Sequence, residues 1–315
     1  MAGLIGCSAS SSDGGSAKTT ASLSASCEDE EDRFNSFKSR QNAWYQENGR
    51  PVPTAKLQSV FVKGTLGHAI VIVHGFNSSP HNQRDLILAL SAKGFTVFAP
   101  LLRGYGSDGE AGNLVDVDDW RESVNETVEI AKACNSKVSL LGHSFGGALV
   151  TDEVASGRLN GIDKVVSMAP FYRSASLLMD LGIGNLADAL PVASISTLAS
   201  ELGVDPYGFL PLEEPASGEV EAQVPMLALQ KVFDAQSLFK IPTTQVSSAS
   251  LLLVVSHADE IIDNDFAIKY AKARYAGAKT LIYDESEDIG HSFQRRKNHP
   301  KFDAMIAQIV SHLQN

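Results

Sequence analysis

The feature that most constrains this chain is a series of short apolar runs spaced widely enough for a helix between each pair. They read "AIVIVH" (69–74), "FTVFAP" (95–100), "VSLLG" (138–142), "KVVSMAP" (164–170), "LLLVVS" (251–256) and "TLIYD" (280–284). A strand with one wet face alternates apolar and polar residues. Unbroken apolar runs therefore fit strands buried on both faces, as in a parallel sheet covered by helices. "SVFVKG" (59–64) reads as an earlier edge strand, with antiparallel pairing left open. Helical patterns occupy the intervals. Leu86, Ile87 and Leu90 share a face over 82–92, which ends at Lys93-Gly94. Trp120, Val124, Val128 and Ala131 do the same over 118–133, and further helices are expected over 146–156, 264–276 and 301–313. Strand and helix in alternation predict an α/β fold with a doubly wound, mostly parallel sheet.

The alternation fails over 171–246, where leucines, serines and prolines mix without a clear buried strand. Only "PMLALQKVFDAQSLF" (225–239) patterns as an amphipathic helix, with Leu229, Val232, Phe233 and either Leu238 or Phe239 on one side. Sheet strands flank this region on both sides, so it is expected to be a small, mainly helical cap inserted into a core made of 51–170 and 247–315. Within it Leu177, Leu178, Met179, Leu181, Ile183, Leu186 and Leu190 cluster. They fit either the cap's own small core or the lining of an apolar ligand pocket.

Residues 1–50 differ. Serine, glycine, alanine and threonine dominate 8–26 and "CEDEED" follows at 27–32. So little apolar surface predicts a flexible tether. The stretch Leu4-Ile5-Gly6-Cys7 is similar to the lipobox of bacterial lipoproteins, which implies a membrane tether through a lipidated Cys7. No basic segment or apolar run stands ahead of Cys7, as a secretory signal requires. Export as a lipoprotein and a cytoplasmic location therefore both stay open. Of the two remaining cysteines, Cys27 and Cys134 could pair in an oxidising compartment, but the preferred reading of Cys134 is a small buried thiol on a helix. A net charge of −11 argues against electrostatic binding of nucleic acid.

Chemistry concentrates where one run ends, in Gly142-His143-Ser144-Phe145-Gly146. This is G-x-S-x-G between a predicted strand and a predicted helix, the context in which such a motif forms a nucleophile elbow. Glycine destabilises regular structure by roughly 0.5–1 kcal/mol relative to alanine. A cluster of Gly142, Gly146 and Gly147 therefore calls for a reason, and a tight bend supplies one. The plain alternative is a glycine-rich turn with an incidental serine. A hydroxyl needs a base, and in elbows of this type the acid and then the histidine follow the serine in the chain. "VVSHADEIID" places Asp259 just past a strand end, and "SEDIGHSF" places His291 after the last strand. His291 would accept and return the Ser144 proton while Asp259 orients the imidazole. Glu260, Asp263, Asp284 and Asp288 compete for the acid's place. His257, His299 and His143 compete for the base's, with His143 expected to point elsewhere and His299 to sit at the surface. For an oxyanion, the N–H of Phe145 opens the helix. A second donor is expected from Phe76, in "VIVHGFNSSP" (71–80), where Gly75 would let the backbone turn. No histidine or cysteine pair falls at ligand spacing and no phosphate-binding loop is present, so neither metal nor cofactor is expected.

From about residue 60 to the end these features resemble the α/β-hydrolase superfamily, and more narrowly its bacterial carboxylesterase and monoacylglycerol-lipase group. The stretches that carry the likeness are "VIVHGFNSSPHNQRDLILALSAKGFTVFAPLLRGYGSDGE", "DVDDWRESVNETVEIAK", "LLGHSFGGALV", "SMAPFY" and "VVSHADEIIDNDFA". The resemblance implies a cap over the site and hydrolysis of small apolar carboxylic esters through an acyl-enzyme. Its triad would be Ser144, Asp259 and His291. C–C bond hydrolysis, amide hydrolysis and acyl transfer on the same fold remain open, as does a non-catalytic tethered binding protein.

Overall fold

The computed structural model describes residues 29–175, 209–211, 223–239 and 246–315. Seven strands form the main sheet: β1 (Val60–Val62), β2 (His68–Val73), β3 (Thr96–Ala99), β4 (Lys137–His143), β5 (Lys164–Met168), β8 (Ser250–Ser256) and β9 (Lys279–Tyr283). Their spatial order is β1-β3-β2-β4-β5-β8-β9. All neighbours run parallel except β1, which pairs antiparallel with β3. Parallel strands need crossovers, and five helices lie between or after them: α2 (Arg84–Ser91), α4 (Val117–Cys134), α5 (Phe145–Ala155), α7 (Asn264–Arg274) and α8 (Phe302–Gln314). β2 buries all six residues, and β3 all four, as unbroken apolar runs should. β9 departs from that expectation. It lies at the edge, so only Tyr283 of its five residues is buried and Ile282 is left exposed.

α4 shows how local chemistry sets an element. Asp116 accepts from the N–H groups of Asp118 and Asp119, while Asp119 reaches back to the Asp116 N–H, a reciprocal cap on the first turn. One face then buries Trp120, Val124, Val128 and Ala131 against the sheet. Each such side chain is worth about 1.5–3 kcal/mol when removed from water.

Part of the expected tether over residues 1–50 is instead regular structure. Glu30–Glu47 form a helix, α1, whose Phe34, Phe37, Gln41 and Tyr45 are buried. Phe34 meets Phe98 edge-on at 5.4 Å, Gln41 donates to the Leu101 carbonyl at 2.6 Å, and Tyr45 donates to the Tyr105 carbonyl at 2.7 Å. The stripe is narrow, and lysines, arginines and acids surround it, so average polarity hid it. Cys7 and Cys27 lie outside the described residues, as does any pairing of Cys27 with Cys134.

Of the region expected to be the cap, the described residues hold a pair of antiparallel strands, β6 (Phe209–Pro211) and β7 (Gln223–Pro225), and the helix α6 (Met226–Gln236). α6 rests on the core. Asn113, the last residue of the short helix α3 (Gly109–Asn113), accepts with Oδ1 from the N–H groups of Leu227 and Ala228. Ala228, Val232, Ala235 and Phe239 are buried and Leu238 faces water, so Phe239 takes the last position on the buried side. The leucine-rich 177–190 cluster lies outside the described residues.

Because α1 fills core rather than trailing from it, Phe34→Ala should cost about 3–5 kcal/mol of unfolding free energy by urea denaturation. A midpoint equal to wild type would mean that this helix contributes nothing to the fold.

Candidate active site

β4 is paired on both sides, and the chain must leave it sharply to enter α5. The turn falls on Ser144, whose φ of 56° and ψ of −125° lie where side-chain-bearing residues are strained by about 1–3 kcal/mol. Surrounding bonds hold it there. The Ser144 N–H donates to the Met168 carbonyl at 2.9 Å, and the Ser144 carbonyl accepts from the Phe171 N–H at 3.0 Å. The glycines are required by close backbone approach. A Cβ on Gly142 would stand 2.3 Å from the Gly146 carbonyl oxygen, and one on Gly146 would stand 2.4 Å from those of Val73 and His74.

Asp259 and His291 are brought to the same end of the sheet. Asp259 follows β8 with its side chain fully buried, and its Oδ1 accepts from the Ile261 N–H at 2.9 Å. His291 lies between β9 and α8. Its Nδ1–H donates to Asp259 Oδ2 at 2.8 Å, and its Nε2 accepts from the Ser144 hydroxyl at 2.9 Å. A hydroxyl bonded to an imidazole that a buried carboxylate orients is the arrangement that turns a weak nucleophile into a strong one. The rival acids lie elsewhere. Asp263 caps α7 by accepting from the Phe266 N–H at 2.8 Å, while Glu260, Asp284 and Asp288 are exposed. His257 is exposed, and its N–H bonds the Tyr283 carbonyl. His299 is not the surface residue expected. It is buried, with Tyr283, Phe293 and Phe302 edge-on around it. His143 turns its Nε2–H to the backbone carbonyl of His291 at 2.9 Å.

Phe145 is the first residue of α5, so its N–H has no partner within the helix. Phe76 follows β2 by three residues. Gly75 lacks a positive φ, and its role is spatial, because a Cβ there would press Ser144 Cβ at 2.9 Å. Tyr105 and Trp120 link the two phenylalanines. Phe76 meets Tyr105 edge-on at 5.8 Å, Tyr105 stacks on Trp120 at 5.6 Å, and Trp120 meets Phe145 edge-on at 5.1 Å. His74 adds a polar tie: its Nδ1–H donates to the Gly75 carbonyl and its Nε2 accepts from the Leu102 N–H. Four non-glycine residues among those described have positive φ: Asn77, Ser144, Ala169 and Asp288. The first three follow the carboxyl ends of β2, β4 and β5, and the fourth lies in the segment that carries His291. Strain of this kind gathers at functional sites.

Residues 70–297 match the alpha/beta hydrolase family, well over half of the chain. The chain belongs to the alpha/beta hydrolase family. Among its relatives, a thermostable monoacylglycerol lipase of Bacillus sp. (strain H-257) is 35% identical over 80 residues, 25% of this chain and 32% of that lipase. The phospholipase YtpA of Bacillus subtilis (strain 168) is 24% identical over 232 residues, 70% of this chain and 86% of that enzyme. The monoacylglycerol lipase of Paleococcus ferrophilus has the same fold, with a TM-score of 0.61 at 20% identity over 81% of this chain and 99% of that one.

Some site features of this alpha/beta hydrolase carry no local signal in its sequence. The Tyr105–Trp120 stack joins residues from separate elements, and nothing in their spacing announces contact. The His74-Gly75 pair was visible, but its tie to Leu102 depends on β2 and β3 being neighbours. Burial keeps the His74 imidazole neutral by pushing its pKa down to about 4, and burial beside His291 pushes His143 down to about 3.

In the unfolded hydrolase both rings titrate near the ordinary value of about 6.5. Between about pH 6.5 and 4 the unfolded chain therefore holds more protons, and stability must fall as pH falls through that window. His74→Gln should lessen the slope of unfolding free energy against pH, measured by urea titration from pH 7 to 5, by about 1 kcal/mol per pH unit averaged over that range. An unchanged slope would mean that the His74 ring is not kept neutral by the fold.

Proposed function

We propose that this alpha/beta hydrolase is a serine esterase of the carboxylesterase and monoacylglycerol-lipase type, acting on carboxylic esters of apolar acyl chains. The observation that carries the reading is the unbroken bonded series from the Ser144 hydroxyl through His291 to Asp259, at 2.9 and 2.8 Å. Ser144 Oγ attacks the ester carbonyl while His291 Nε2 takes its proton. The tetrahedral oxyanion is met by the N–H groups of Phe76 and Phe145, at the positive end of α5. His291 then returns the proton to the departing alcohol oxygen, leaving an acyl group on Ser144. Water attacks that ester with His291 again as base, and the acid departs. Asp259 holds the Nδ1–H tautomer throughout and offsets the charge of the imidazolium. Support for an apolar acyl group comes from the relatives, whose names are those of a monoacylglycerol lipase and a phospholipase.

A fluorophosphonate probe should label the wild type at Ser144 and leave Ser144→Ala unlabelled. kcat on nitrophenyl esters should fall by roughly 10⁶ in that variant, the scale of other triad serines. Activity on those esters should rise from acetate towards medium-length chains. A monotonic fall beyond acetate would remove the apolar-acyl reading, and labelling that survives the alanine would remove the serine mechanism.

Asp259→Asn should lower kcat by about 10⁴-fold while the urea midpoint stays close to wild type, because a wrong tautomer harms the reaction more than the fold. Full rate in Asp259→Asn, with loss in Asp263→Asn or Asp288→Asn, would reassign the acid.

A further inference from the structure

Among the described residues, three groups hold His291. Two act on its ring, Asp259 Oδ2 at Nδ1 and the Ser144 hydroxyl at Nε2. The third acts on its backbone, where the Nε2–H of His143 donates to the His291 carbonyl at 2.9 Å, with the two rings tilted and 5.1 Å between centroids. His143 is the last residue of β4 and the peptide neighbour of Ser144. Donor and nucleophile therefore hang from one strand end, and that strand is pinned on both sides, Gly142 opposite Val73 and His143 opposite Met168. The segment that carries His291 lacks such a frame. Between β9 and α8 it contains only two single-turn 3₁₀ helices.

We propose that His143 is a positioning residue: its hydrogen bond to the His291 carbonyl sets the depth at which the segment after β9 seats the imidazole over the Ser144 hydroxyl. The inference rests on reading Ser144, His291 and Asp259 as a hydrolytic triad. Its physical reason is a missing constraint. The bond to Asp259 fixes one ring nitrogen and leaves the imidazole free to swing about it, so the distance from Nε2 to Oγ stays soft. A tie from the residue next to Ser144 to the backbone of His291 removes that freedom, and it moves with the nucleophile when the elbow shifts. Phe293 closes the other side, edge-on to His143 at 6.0 Å. Because His143 is buried and stays neutral, it donates without placing a second positive charge against the imidazolium.

The test uses the 315-residue chain and three variants. Gln carries an amide N–H₂ close to where Nε2 of histidine lies, Asn is a bond too short, and Leu has no donor. A displacement of about 1 Å at a reacting centre costs roughly 100-fold. His143→Leu and His143→Asn should therefore lose on the order of 100-fold in kcat on a nitrophenyl butyrate, with KM changed by about 2-fold or less. His143→Gln should recover most of the rate. Fluorophosphonate labelling should slow by the same factor in the Leu and Asn variants. The acid limb of kcat/KM against pH should move in those two and stay in place in the Gln variant. A purely structural role would lower the urea midpoint without separating Asn from Gln in this way. Should His143→Leu fail to fold, the Asn and Gln pair still decides. Equal rates and coincident pH limbs for Asn, Gln and wild type overturn the positioning role alone. A wild type that takes no label at Ser144 overturns the triad reading and this inference together.

Discussion

Everything at the reactive end of this molecule depends on two backbone segments approaching more closely than any side chain permits. Gly146 lies against the carbonyl oxygens that end β2, and Gly142 lies against the carbonyl of Gly146, in each case with no room for a Cβ. That contact draws the start of α5 onto the sheet, and the strained φ of Ser144 follows from it. The hydroxyl stands above the strand ends because the chain has nowhere else to put the turn. The strain is offset by a sheet whose central strands are buried along their length.

A second level of organisation keeps the loops around that turn in place. Tyr105 and Trp120 link Phe76 and Phe145, the two residues proposed to offer N–H groups to the oxyanion. Tyr105 is held from outside the sheet, since Tyr45 on α1 donates to its carbonyl and accepts from the Gly104 N–H at 3.1 Å. His74 bonds Leu102 from the other side. The N-terminal helix therefore supports the same loop that separates the two proposed donors.

The fold was largely legible in the chain because its signals are local. An unbroken run such as "AIVIVH" needs two apolar neighbours whatever their identity, and the glycines around Ser144 mark a tight turn within five residues. Ser144, Asp259 and His291 stand out as candidates for a related reason: the first two lie just past strand ends, and the third lies in the loop after the last strand. What escaped was set by average composition or by distant partners. α1 reads as tether in the sequence because five buried residues in eighteen are outweighed by charge around them. His299 reads as a surface residue from its position before Pro300, yet Tyr283, Phe293 and Phe302 enclose it.

The amino-acid order by itself determined the strands of the main sheet, the helices that cross between them and the bend at Ser144, since each follows from periodicity or from steric demand over a few neighbouring residues. Only the tertiary structure decided that Asp259 rather than Asp263 bonds His291, and that Phe76 and Phe145 meet the two members of one Tyr105–Trp120 pair edge-on. The same holds for the reach of His143 to a carbonyl 148 residues further along the chain. Such contacts join strand ends that are adjacent in the sheet but remote in the chain. Their distances depend on how seven strands order themselves, a quantity that no local pattern encodes.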